Sequence, residues 1–346
     1  MPRLRLLPFA LSCSLLATVA STQDLEVGAT APALHIGKWL KGDPVESFAA
    51  GKVYVVEFWA TWCGPCIASM PHLTELQARF KDQGVTILGV TCVDPDNSLA
   101  QAKKMVADKG DGMGYTVAWD DGQKTTDAYM KAARQDGIPT AFVIDGKGRL
   151  VFIGHPMFLD IPIGAVLAGT WDARKGTARI DAAMQQYAGL AEAIAADAEA
   201  ATAKVDAFLK EYPMLAGNIS DMQFHSLLLA GKFDKAYALA GTSVDQAIAR
   251  KESDRLNEIA WNIVDPAAAV ADRNLELALK AATKAVEFTK EKDANLLDTL
   301  ARVWFWKQDF HKALEIQKKA VTVDGSDDLR KSLAEYEKRV GKDGGK

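Results

Sequence analysis

The chain has 346 residues, 49% of them hydrophobic and 25% charged, and carries a net charge of -4. This is an ordinary globular composition, long enough for about two domains with a core each. The slight negative charge removes the electrostatic case for nucleic-acid binding.

The first segment, MPRLRLLPFALSCSLLATVASTQ, has a basic start at Arg3 and Arg5, an apolar run from Leu6 to Ala20 and small residues near Ala20. That three-part pattern predicts a secretory signal over residues 1–22, removed between Ala20 and Gln23. A retained membrane anchor is the alternative, but the run is shorter than the roughly 20 residues a spanning helix needs and is broken by Pro8. Cys13 follows Ala10, Leu11 and Ser12, a poor lipoprotein box.

Strands and helices then alternate. GKVYVVEFWA (51–60) reads as a buried strand and Ile67 to Phe80 as a helix. VTILGVT (85–91) is a second strand, Leu99 to Asp108 a helix, Tyr115 to Trp119 a short strand and Thr125 to Arg134 a helix. TAFVID (140–145) and LVFIG (150–154) form a hairpin about Gly146, Lys147 and Gly148, and a last helix follows around Ile161 to Ala168. The order predicts an α/β fold, a mixed sheet with helices on both faces, over residues 24–175.

After Gly176 the strand signal ends. Ala178 to Tyr212 is alanine-rich and predicts one long helix or two, a helical linker over 176–212 stopping before Pro213. Residues 213–346 are helical throughout and contain an echo: Phe233-Asp234-Lys235-Ala236 recurs as Phe310-His311-Lys312-Ala313, and the pair Ala278/Ala285 recurs 35 residues later as Ala313/Ala320. A period near 34 residues with small residues at such positions resembles tetratricopeptide helical hairpins, best between Ala294 and Asp327. A plain helical bundle is the alternative, and Trp304, Phe305 and Trp306 are expected mostly in a core either way.

The chemistry concentrates in EFWATWCGPCIASMP (57–71). If the leader is removed, Cys63, Cys66 and Cys92 remain, too few for a disulfide scaffold. There is no second CxxC and no histidine pair, which argues against a metal clip, and the reading needs no cofactor. A bridge closing so short a loop removes little entropy from the unfolded chain, so a redox dithiol is the stronger reading. At a strand end and a helix start, the Cys63 sulfur meets unpaired N–H groups and the positive end of the helix dipole, which favours a thiolate and an attacking role. Cys66, one turn inward, would resolve the mixed disulfide. Gly64 lets a partner backbone approach, and Pro65 suits a first helical turn.

WCGPC at 62–66, the preceding FWA-x-W and Pro71 resemble the thioredoxin active site. Gly137-Ile138-Pro139-Thr140 resembles the thioredoxin loop whose proline is cis and lies against the disulfide. The resemblance covers about residues 30–170 and implies a thioredoxin-like fold, a Cys63–Cys66 redox disulfide, and substrate contacts from Trp62, Gly64, Pro65, Ile138, Pro139 and Thr140. Glu57 stands where thioredoxin carries a buried aspartate, which implies a proton acceptor for Cys66; the residues beside it leave its facing open. The glutamate, the export signal, the extension from Glu26 to Gly51 and the insertion before the Gly137 loop look most like the TlpA/ResA-like extracytoplasmic redoxins.

Cys92 is expected to be a partly buried free thiol, and His155 a solvated loop residue. A peroxidatic site would need a threonine where Trp59 stands. Two functions follow. One is an extracytoplasmic thiol-disulfide oxidoreductase that acts on protein disulfides and draws on an unidentified electron donor, with a peptide or protein ligand on its helical part. The other is a helical adaptor with a structural redoxin, and a disulfide oxidase or isomerase is a further variant. The Gly-Pro between the cysteines resembles that of reducing members of the thioredoxin family, which implies the reducing direction.

Overall fold

The computed structural model describes residues 24–343. The expected leader and Cys13 lie outside them.

Six strands form one sheet in the order β1-β4-β3-β2-β5-β6. The central strand is β2 (Val53–Phe58), buried along its whole length, with β3 (Val85–Cys92) parallel on one side and β5 (Thr140–Ile144) antiparallel on the other. Continuous Val/Ile/Leu/Phe runs suit strands covered on both faces. β4 (Thr116–Asp120) adds parallel to β3, and β6 (Leu150–Gly154) closes the hairpin with β5. The outer strand β1 (Lys38–Lys41) was not expected. Its sequence KWLK has one alternation and two charges, too little pattern to read, and it forms by pairing antiparallel with β4.

The pleat sorts β2 into two faces. Val53, Val55 and Trp59 join one core beneath α1 (Gly64–Phe80), while Tyr54, Val56 and Phe58 join the other, with Tyr129, Phe142 and Leu150. α2 (Leu99–Lys109) begins with a full capping box between Ser98 and Gln101. The helix expected over 125–134 is only α3 (Lys124–Thr126) followed by a π-type turn, Asp127–Lys131. Asp120 takes the N–H and the hydroxyl of Thr126 there, a side-chain anchor that helical periodicity does not encode.

α4 (Asp160–Leu167) follows the sheet, then α5 (Ala173–Ala196) and α6 (Thr202–Glu211), so the alanine-rich stretch is two helices. Trp171 sets the junction. Its indole N–H donates to the Val151 carbonyl of β6 at 2.8 Å, and its ring lies over Gly176, where a Cβ would stand 2.2 Å from it. The rest of the described chain is helical: α7 (Ala216–Leu229), α8 (Phe233–Arg250), α9 (Ser253–Val264), α10 (Leu275–Phe288), α11 (Ala294–Trp306), α12 (Phe310–Val323) and α13 (Asp327–Asp343). α7 packs on α8, α9 on α10 and α11 on α12. The Phe-x-x-Ala echo marks the first turns of α8 and α12, with Ala236 and Ala313 fully buried, and Ala278, Ala285 and Ala320 are buried too. Trp304, Phe305 and Trp306 are half-buried against the core. The core beneath α1 runs without a break into these helices, for example where Phe158 meets Tyr212 edge-on at 5.7 Å. Among the described residues no helix is long and apolar enough to cross a membrane.

Candidate active site

The site lies where β2 ends and α1 begins. Cys63 is the N-cap of α1, with extended backbone, and its sulfur accepts from the Cys66 N–H at 3.2 Å. Gly64 and Pro65 form the exposed first turn, where proline's missing donor would have had no partner, and the helix continues through Pro71. Cys63 and Cys66 are joined as a disulfide, with Cα atoms 5.2 Å apart. Both are buried, at 3% and 1% exposure, so accessibility hardly separates them; what separates them is the capping position.

The distant loop arrives where the sequence expects it. The Ile138–Pro139 peptide is cis, and the Ile138 carbonyl oxygen lies 3.7 Å from the Cys63 sulfur. Thr140 opens β5 opposite Phe58, and its hydroxyl donates back to the Gly137 carbonyl at 2.7 Å. Trp62 is 55% exposed on the other flank. Its indole N–H is held by the Asp94 carboxylate at 2.9 and 3.1 Å.

Glu57 is the fifth residue of β2. It shares the α1 face of β2 with Val55 and Trp59, which settles its facing, and it is 1% exposed. Among the described residues no group donates to either carboxyl oxygen. Burial alone pushes its pKa from 4.5 to about 8, so it holds its proton at neutral pH in this oxidised form.

Several supporting residues escaped the sequence reading. Asn97 is buried and staples the loop before Cys63 to the end of β3: its Oδ1 accepts from the Thr61 N–H and hydroxyl at 3.1 and 2.7 Å, and its Nδ2 donates to Thr91 and to the Cys92 carbonyl. The only signal was its place in VTCVDPDN, since Thr61 is far away in sequence. Cys92 is a half-buried free thiol whose pKa burial raises, in line with expectation. His155 departs from expectation. It is half-buried and caps the short turn at Pro156–Phe158, its Nδ1 accepting from the Met157 N–H, and burial followed by the nearby His72 lowers its pKa.

A cleft of 710 Å³ opens from the exposed face of α1. One wall is Pro65, Ile67 and Pro71, and the other carries Met184, Tyr187 and Met222 of the helical part. Among the described residues no cluster of His, Cys, Asp and Glu is arranged to hold a metal.

A buried, capped disulfide facing a cis-proline loop is suited to exchanging disulfides with an extended partner. The comparisons agree. The Redoxin family matches residues 26–158. Thiol-disulfide oxidoreductase ResA of Bacillus thuringiensis (strain Al Hakam) is 32% identical over 133 residues, 38% of this chain and 71% of that protein. Protein FixW of Rhizobium leguminosarum is 29% identical over 154 residues, 43% of this chain and 70% of that protein. Thiol:disulfide interchange protein HelX of Rhodobacter capsulatus is 38% identical over 128 residues, 35% and 65% of the two chains. The family match spans Cys63 and Cys66, and with the ResA likeness it shows that the chain belongs to the redoxin family of thiol-disulfide oxidoreductases.

Proposed function

We propose that the protein is an exported reductant of protein disulfides, with Cys63 attacking, Cys66 resolving and Glu57 moving the proton between steps. The observation that carries this reading is the position of the Cys63 sulfur: it caps α1 and lies 3.7 Å from the Ile138 carbonyl beside a cis proline. In the reduced protein, the helix N-terminus favours the Cys63 thiolate. The thiolate attacks one sulfur of a substrate disulfide, expels the other as a thiolate, and forms a mixed disulfide. Cys66 then gives its proton to the Glu57 carboxylate and attacks Cys63, releasing the second substrate thiolate. Two electrons have passed to the substrate, and a partner dithiol must return them. In that return step the protonated Glu57 of the oxidised form supplies the proton as Cys66 leaves.

Trp62, Gly64, Pro65, Ile138, Pro139 and Thr140 form the surface that receives the substrate strand, its backbone pairing along the Ile138 loop. The basic and apolar pattern of residues 1–22 supports export to the periplasm or another extracytoplasmic space. The residues from 24 to 175 act as the redox domain. Those from 213 onward, read as tetratricopeptide-like hairpins reached through 176–212, bind the protein partner. The cleft against α1 supports this division, because a chain bound there would lead to Pro65.

Cys66→Ser tests the reading. It should leave Cys63 in a stable mixed disulfide with its substrates, recovered on a non-reducing gel and released by dithiothreitol. No trapped species would overturn it in favour of a helical adaptor with a structural redoxin. Faster oxidation of reduced proteins than reduction of insulin would reverse the direction.

A further inference from the structure

Three buried polar groups of the redox domain meet without partners around one glycine. Gly89 of β3 stands directly opposite Glu57 of β2, so on that side the sheet has no side chain beside the carboxyl, while Ala141 of β5 stands on the other. Into the space come two rings: a Cβ on Gly89 would lie 3.0 Å from Cε2 of Tyr115 and 3.2 Å from Nε1 of Trp59. Tyr115 and Trp59 are 4% and 3% exposed. Among the described residues neither the Tyr115 hydroxyl nor the Trp59 indole N–H has a hydrogen-bond partner, and neither carboxyl oxygen of Glu57 has one. Gly89 has no positive φ, so its backbone does not require glycine; the room does.

We propose that Tyr115, seconded by Trp59, is a positioning residue of the redox reaction: its hydroxyl donates to the Glu57 carboxylate when that group is ionised and ready to accept the Cys66 proton. Tyr115 immediately precedes β4, the strand between β1 and β3.

The chemistry follows from the inventory. A hydroxyl and an indole N–H are donors, and a neutral carboxyl needs neither strongly, whereas a buried carboxylate needs both. Two electrically neutral donors stabilise the charge without fixing it, as a lysine would, so the proton can return in the other half of the cycle. The Glu57 charge in turn acts on Tyr115: burial, then that charge, raises the phenol well above its ordinary pKa, so it remains a donor. Among the described residues no charged neighbour contributes to the Glu57 shift. The neighbouring positions of β3, β5 and α1 are Ile87, Thr91, Ala141, Val143, Met70 and Leu73, and the remaining titratable group is Cys66 when reduced.

This inference rests on Glu57 as the group that exchanges a proton with Cys66, and the experiment separates the two. The full chain, labelled with 13C at glutamate carboxyls and assigned through Glu57→Gln, is titrated by NMR in oxidised and reduced forms. Tyr115→Phe should raise the Glu57 midpoint by about one pH unit, the size of one charge-assisted hydrogen bond, and carry the pH midpoint of the resolving step with it. Replacing tyrosine by 3-fluorotyrosine, a stronger donor of nearly the same shape, should lower both midpoints and covers the case in which the phenylalanine variant folds poorly. Unchanged midpoints with a clear Glu57 titration would overturn the role of Tyr115 alone. No Glu57 titration at all would overturn the proton-exchange reading and this inference together.

Discussion

The indole N–H of Trp62 is shared between the two carboxylate oxygens of Asp94, at 2.9 and 3.1 Å, so an aromatic ring more than half exposed is held in one orientation beside the disulfide. A free ring would have to be ordered at each encounter, at a cost of about 1 kcal/mol per side chain. Asp94→Ala should therefore raise KM for protein disulfides about three- to tenfold and leave kcat nearly unchanged, measured by steady-state insulin reduction. Time-resolved tryptophan anisotropy should show the ring released.

The buried Glu57 makes stability depend on pH with a definite sign. Its folded pKa, about 8, is above the ordinary 4.5, so the folded state keeps a proton the unfolded chain has lost. The contribution is complete below pH 4.5, falls by on the order of 1.4 kcal/mol per pH unit as pH rises towards 8, and levels off above it. Glu57→Gln should flatten that slope, so the oxidised variant gains on the parent between pH 5 and 8 in denaturant unfolding. The same variant should slow the resolving step by about a hundredfold, seen in single-turnover kinetics.

Asn97 joins the loop before Cys63 to the end of β3. Asn97→Ala would leave the Thr61 hydroxyl and the Cys92 carbonyl without their buried partner. A loss of about 2–3 kcal/mol is expected from urea midpoints, with a faster, less selective reaction of the disulfide with small thiols.

Phe158 is fully buried and packs edge-on against Tyr212, linking the end of the sheet unit to the helices. Phe158→Ala should cost about 3–5 kcal/mol in thermal or urea unfolding. It should also expose the segment between α6 and α7 to limited proteolysis while the isolated reaction with dithiothreitol persists.

Much of the redox domain was legible because its strands are continuous apolar runs and its two separated segments, WCGPC and GIPT, together specify the site. Glu57 was legible as a residue but not as a geometry; two positions on, Trp59 reaches the α1 face, and period-two alternation carries Glu57 with it. Asn97 and Tyr115 were not legible, since each acts on a residue more than thirty positions away and neither stands in a pattern of its own. β1 is fixed by its pairing with β4, and the π-type turn by Asp120, so neither had a local signal. His155 differs from its expected place because a loop position need not be wet: its ring caps a turn.

The contact of Trp171 with Gly176 has a reach longer than its size. The ring is pinned to β6 by its indole N–H and occupies the space a side chain at 176 would need, so it acts as the wedge that fixes the angle at which α5 departs. Met184 and Tyr187 sit further along that same helix, in the wall facing Pro65 and Ile67. A helix is a stiff rod, and a small rotation at its root is magnified along its length. The width of the cleft beside α1 is thus partly set at a contact that lies outside it.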